Sequence, residues 1–146
     1  MRNTNPLLDD PLFSTEVELV IAFHDVDSMD VVWHGNYFRY LEIAREKLLN
    51  QLNYGYRVMR DNGHMWPIID ARIKYPGTVQ FEQKIRVVAR LLEYENRLKI
   101  GYTLFDAETG KKTTEAWTIQ VAVDSEKKEM LFISPDILFE RMGLPK

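Results

Sequence analysis

Cysteine is absent from the 146 residues of this chain, which excludes disulfides, thiolate metal sites and a cysteine nucleophile. Histidine is scarce, with three in all. There is no HExxH and no histidine pair at helical spacing, so no metal centre is expected. No GxSxG elbow occurs, which argues against a serine hydrolase of that kind. No apolar run approaches the roughly 18 residues of a membrane span, and the opening MRNTNPLLDDP has no apolar core of the signal-peptide type. A dominant charge is lacking too. The net charge is only −3, so nothing draws the whole chain to nucleic acid or to an anionic membrane, and any anion recognition has to be local. These absences lead us to expect a cytoplasmic protein with neither nucleic acid nor membrane as a partner.

What is present fits a globular chain: 45% hydrophobic and 28% charged residues, enough length to bury a core, and no repeat or low-complexity tract. One domain is expected over 1–146, with 1–13 as a loose, Pro-punctuated arm. Val17, Leu19, Ile21 and Phe23 alternate with Glu16, Glu18, Val20 and Ala22, a strand pattern. The period then changes. Tyr37, Leu41, Ala44, Leu48 and Leu52 form one stripe at spacings of three and four, which predicts a helix that stops near Asn53-Tyr54-Gly55, with Asn36 as its N-cap. A second short helix is expected over 57–62.

From Trp66 onward the chain reads as strands. Ile69, Ala71, Ile73 and Tyr75 form one face, with Asp70, Arg72 and Lys74 opposite. Later faces are Ile85/Val87/Ala89/Leu91, Leu98/Ile100/Tyr102/Leu104 and Trp117/Ile119/Val121/Val123, and Ser134-Pro135-Asp136 opens a last short helix with serine as its cap. The order is strand, long helix, four strands. Short links make the later strands antiparallel neighbours, and the helix is expected across one sheet face as a central core element. The fold class is therefore α+β. The face or edge left over needs a partner, which points to a homo-oligomer.

The stretch HDVDSMDVVWHGNY, residues 24–37, stands between first strand and long helix. It packs three aspartates and two histidines around the apolar run Val31-Val32-Trp33. Asp25, Asp27, Val31, Val32, His34, Asn36 and Tyr37, followed by Arg39-Tyr40-Leu41-Glu42 and Ala44-Arg45, resemble the motif of the 4-hydroxybenzoyl-CoA type of acyl-CoA thioesterase. The order of elements from about Glu16 to Met142 is similar to the hotdog fold of that family, an antiparallel sheet wrapped around one long helix. The resemblance implies a thioester hydrolase needing no metal or organic cofactor, with coenzyme A entering as part of the substrate. It also implies a homodimer or homotetramer whose active site lies between subunits. Asp27 matches the family's catalytic carboxylate, and the backbone amide at His34 matches the donor that polarises the thioester carbonyl.

The chemistry agrees with those matches. Thioester hydrolysis needs an attacking oxygen and a place for charge on the carbonyl oxygen. A carboxylate supplies the first as nucleophile or as base on water, and a helix start supplies the second; the choice between nucleophile and base stays open. Val32, Trp33 and Tyr37 are expected to wall the acyl slot and Asn36 to shape it. The filler Ser28-Met29-Asp30 departs from the small residues common in that family. Asp30 is expected beside the substrate, where a second carboxylate would tune Asp27, or else solvated. Asp25 is expected to be structural, bonding loop amides, and His24 and His64 have no spacing that argues for chemistry.

For coenzyme A phosphates the candidates are Arg72 and Lys74, with Lys84, Arg86 and Arg90 behind them on what reads as an adjacent strand. The acyl group could equally arrive on an acyl-carrier protein, or the chain could bind thioesters without cleaving them. A dehydratase of the same fold would pair a histidine with a helix acid, and the helix offers only Glu42 or Glu46.

Overall fold

The computed structural model describes residues 5–146. Along the chain run β1 (Ser14–Val20), α1 (Tyr37–Gln51), α2 (Tyr56–Asp61), β2 (His64–Met65), β3 (Ile68–Lys74), β4 (Lys84–Glu93), β5 (Leu98–Asp106), β6 (Lys112–Gln120), β7 (Val123–Asp124) and α3 (Asp136–Met142). Five strands form one antiparallel sheet in the order β1-β4-β5-β6-β3. The long helix α1 packs across it over β4 and β1, and this is the hotdog arrangement.

The core follows the helical stripe and the period-two faces. Leu41, Ala44 and Leu48 of α1 and Ile85, Val87, Ala89 and Leu91 of β4 have no exposed surface. The two alanines, one on each side, let helix and strand approach closely. Each fully buried leucine contributes about 2 kcal/mol of transfer free energy.

Four expectations are corrected. β1 stops at Val20, and Phe23 lies in a 3-10 turn with 75% of its surface exposed. Residues 5–13 are not a loose arm but two 3-10 turns that bury Leu8 and Phe13; residues 1–4 lie outside the described residues. β3 is not beside β4: it pairs with β6 at the sheet's edge, while β4 takes β1 as neighbour. Ser134 does not cap α3, because its hydroxyl donates to the carbonyl of Tyr94.

β6 also turns the other way. Thr114, Ala116, Thr118 and Gln120 sit opposite Leu104, Tyr102, Ile100 and Leu98, so they face α1 and are buried, while Trp117 lies on the outer face. Most of the inward polar groups there are bonded: Thr118 Oγ1 shares a hydrogen with Tyr102 Oη at 2.8 Å, and Gln120 Nε2 donates to the Trp66 carbonyl at 2.8 Å, although Gln120 Oε1 has no partner among the described residues.

Candidate active site

The acidic stretch folds as a small hairpin followed by a helix start. Trp33 N–H donates to the Asp25 carbonyl at 3.0 Å, Val26 bridges Val32, and Asp27 N–H donates to the Val31 carbonyl at 2.9 Å. Ser28, Met29 and Asp30 make the three-residue loop. Asp30 N–H bonds back to the Asp27 carbonyl at 3.0 Å, and Asp30 itself is left-handed, with φ 64°. A three-residue hairpin of this kind needs a left-handed third residue, and aspartate is among the few non-glycines that accept it. Asp27 Oδ1 accepts the Met29 amide at 2.8 Å, so this carboxylate also shapes the turn. The returning strand hooks onto the chain ahead of β4: Val32 N–H donates to the Val79 carbonyl at 2.7 Å and Val31 bridges Gln80.

Trp33 is extended, and a 3-10 turn over His34–Asn36 runs directly into α1. Asn36 and Tyr37 donate to the carbonyls of Trp33 and His34. The amides of His34 and Gly35 find no backbone acceptor among the described residues, as expected at a helix start. Asn36 is not the expected cap. It already has helical backbone angles (φ −87°, ψ −14°), which a cap does not. Its Nδ2 donates instead to the Asp25 carbonyl at 2.9 Å. Gly35 has a steric cause: the Trp33 indole lies over it, and a Cβ there would sit 2.1 Å from Trp33 Cζ3.

Asp25 is buried, and its bonds differ from those expected. Its carboxylate takes no loop amide. Oδ1 pairs with Arg39, Oδ2 accepts the Tyr40 hydroxyl at 2.8 Å, and His24 Nε2 stands 3.3 Å from Oδ1. Burial opposes its ionisation, but the hydrogen bonds from Tyr40 and Arg39 and the positive charge of Arg39 outweigh that, holding the carboxyl below the usual range. Burial, then the bond to this carboxylate, pushes the Tyr40 hydroxyl well up.

The other anticipated residues divide into two places. Trp33, His34 and Asn36 stand at the junction of hairpin and helix, and Asp27 and Asp30 at the hairpin's turn ahead of it. Val32 and Tyr37 are beneath it in the core. Tyr37 meets the ring of Tyr75 edge-on at 4.9 Å. Around the junction Phe23, Met29, Trp33 and Phe38 stay exposed, and Phe23 packs edge-on to Phe81 at 5.5 Å. Arg72 and Lys74 are elsewhere, in a groove of about 260 Å³ with Lys99, Glu115, Ala116 and Trp117. The groove shares no residue with the junction, although Lys74 is followed directly by Tyr75. Lys99 lies over the Trp117 ring at 5.2 Å. Sequence reasoning missed both, because only the β5–β6 and β3–β6 pairings bring them beside Arg72. Lys84, Arg86 and Arg90 belong to a strand that is not β3's neighbour, and Arg86 is engaged with Glu16 at 3.0 Å and with the Phe105 ring at 4.6 Å. Among the described residues no group of three or more His, Asp or Glu is placed to hold a metal ion, and no helix is long and apolar enough to cross a membrane. A half-buried carboxylate, close in the chain to two amides with no backbone acceptor among the described residues, suits acyl transfer to water.

The model of the thioesterase-like superfamily matches residues 21–139. The chain is 24% identical over 110 residues to YneP of Bacillus subtilis strain 168, provisionally named an acyl-CoA thioesterase, covering 75% of this chain and 79% of that one. Among solved structures, a DHNA-CoA thioesterase from Staphylococcus aureus superposes with TM-score 0.75 at 23% identity, covering 82% of this chain and 80% of that one. A 1,4-dihydroxy-2-naphthoyl-CoA thioesterase from Synechocystis gives 0.78 at 16% identity, covering 89% and 96%.

Proposed function

The chain belongs to the thioesterase-like superfamily, and on that footing we propose that it hydrolyses an acyl-CoA thioester to a free acid and coenzyme A. The observation that carries this is the chain order, with Asp27 ahead of a helix start whose His34 and Gly35 amides have no backbone acceptor among the described residues. In one route the Asp27 carboxylate adds to the thioester carbon, the thiolate leaves, and water cleaves the resulting anhydride. In the other, Asp27 takes a proton from water, the hydroxide adds, and the thiolate departs and is protonated. In both, negative charge develops on the carbonyl oxygen, where the His34 amide and its neighbour would hold it. Neither route asks for a metal or an organic cofactor.

The resemblance to the 4-hydroxybenzoyl-CoA type rests on the hairpin residues named above. Trp33, Asp30, Asn36 and, through Tyr75, Tyr37 would border the acyl group, with Val32 supporting them from the core. Arg72 and Lys74, joined by Lys99, are the cations we assign to the phosphates of coenzyme A. The working unit is a homodimer or homotetramer in this reading. Exposed Phe23, Met29, Trp33 and Phe38, together with the free edge β3, where Ile68 and Ile69 are exposed, are what a second copy would cover. A cytoplasmic location goes with it.

The test is thiol release, followed with a thiol dye, across acyl-CoAs from acetyl to palmitoyl plus benzoyl and hydroxybenzoyl. Asp27→Asn runs beside the native chain. Asparagine can still accept the Met29 amide, so the hairpin stays formed while kcat is expected to fall about 10²- to 10⁴-fold. An unchanged kcat would remove Asp27 from the mechanism. Release from carrier-protein thioesters alone would change the carrier, and tight binding with no release would make the chain a binder.

A further inference from the structure

We infer that Asp25 is a positioning residue: it clamps the 3-10 turn that carries the His34 and Gly35 amides to the first turn of α1, and thereby sets where the substrate's carbonyl oxygen is polarised. This rests on the thioesterase reading above.

Two groups converge on the Asp25 carbonyl, the Trp33 amide at 3.0 Å and Asn36 Nδ2 at 2.9 Å. Trp33 and Asn36 are the residues that flank His34 and Gly35, so this one oxygen holds both ends of the segment bearing the free amides. The side chain of the same residue holds the helix, through Arg39 on Oδ1 and Tyr40 on Oδ2. Its own N–H is tied back to the Ala22 carbonyl at 3.0 Å. The hairpin, the amide-bearing turn and the helix thus meet at a single buried residue. Asp25 is buried with both carboxylate oxygens engaged by α1, so its effect has to pass through the amides. Amides aimed at a developing oxyanion tolerate little displacement, and an ångström of misplacement costs on the order of a hundredfold in rate.

The decisive variant is Asp25→Asn, which keeps the backbone carbonyl and the side-chain size but offers one acceptor oxygen where two are used. On whichever thioester the native chain cleaves, kcat is expected to fall at least about tenfold with KM within about twofold. The ¹⁵N–¹H resonances of His34 and Gly35 should shift and their hydrogens exchange faster. Tyr40→Phe, which removes one anchor and leaves Arg39, should show the same split at roughly threefold, and it carries the test if Asp25→Asn does not accumulate as folded protein. A lower melting temperature with native kcat would overturn the inference and leave Asp25 a purely structural acid. A raised KM with native kcat would overturn it too. A native chain that cleaves no thioester ends the functional reading instead; the His34 and Gly35 resonances then decide separately whether Asp25 holds the amides.

Discussion

Asp25 and Asp27 stand two residues apart on the same arm of the hairpin, in opposite surroundings. Asp25 is 4% exposed and both of its carboxylate oxygens are engaged, by Arg39 and by Tyr40. Asp27 is half-buried, has one oxygen on the Met29 amide, and keeps lone pairs to spare. A carboxylate saturated with donors is stabilised as an anion and gains nothing by attacking or taking a proton. One with spare lone pairs at an open junction remains available. The two acids of the motif therefore differ in their donors: Asp25 has both carboxylate oxygens engaged by the helix, and Asp27 has one on a turn amide.

Stability measurements should separate them most sharply. Asp25→Ala leaves the buried Tyr40 hydroxyl without its acceptor and Arg39 without its partner, and is expected to cost about 2–4 kcal/mol in urea denaturation. Asp27→Ala loses one hydrogen bond to a turn amide and should cost about 1 kcal/mol. Equal costs would break the comparison. The second prediction uses pH. Because its folded-state carboxyl is held down, Asp25 stabilises the protein above the ordinary value of 3.8 and loses that contribution as pH falls through its lowered folded value. The gap in urea midpoint between the native chain and Asp25→Asn should stay open at neutral pH and narrow on acidification below 3.8. A gap that widens instead would mean the carboxyl is not held as an anion.

Smaller effects bear on the hairpin tip and the helix start. Asp30→Val puts a β-branched residue at φ 64° and should cost about 1–2 kcal/mol. Asp30→Gly trades relieved strain against chain entropy, so it should move stability by no more than about 0.5 kcal/mol. Its kinetics would then show whether the Asp30 carboxylate touches the reaction. Gly35→Ala should also change stability little, by under about 1 kcal/mol, because the half-exposed Trp33 ring can swing away from the new methyl. Tryptophan fluorescence is expected to report that movement.

Much of this was legible beforehand because it is local. A 3.6 period wrote α1, and strict alternation wrote β4 and β5, since an element that packs one face on a core must repeat its apolar residues at its own pitch. Aspartate, serine and asparagine before the helix marked the turn, though not which carboxylate would be spent on it. The resemblance singled out Asp27 and His34; the structure puts Asp27 at the hairpin's turn and His34 in the 3-10 turn that opens the helix. Pairings made at long range were not legible. Lys99 and Trp117 join Arg72 and Lys74 only through strand register, and the β3 edge depends on which strand lies beside β6.

The sequence alone determined the long helix, the main strands and the place where the helix begins, because sterics and periodicity act within a few residues. Only the tertiary structure decided which acid is buried, that Asn36 serves a carbonyl and not an amide, and that Thr114, Thr118 and Gln120 face the helix. A polar group's fate depends on the partner it meets, and the partners here lie elsewhere in the chain: Trp66 for Gln120, Tyr102 for Thr118, and Arg39 and Tyr40 for Asp25. Burial without those partners would cost about 1–3 kcal/mol for each group, so folding settles these positions only when the distant residues arrive.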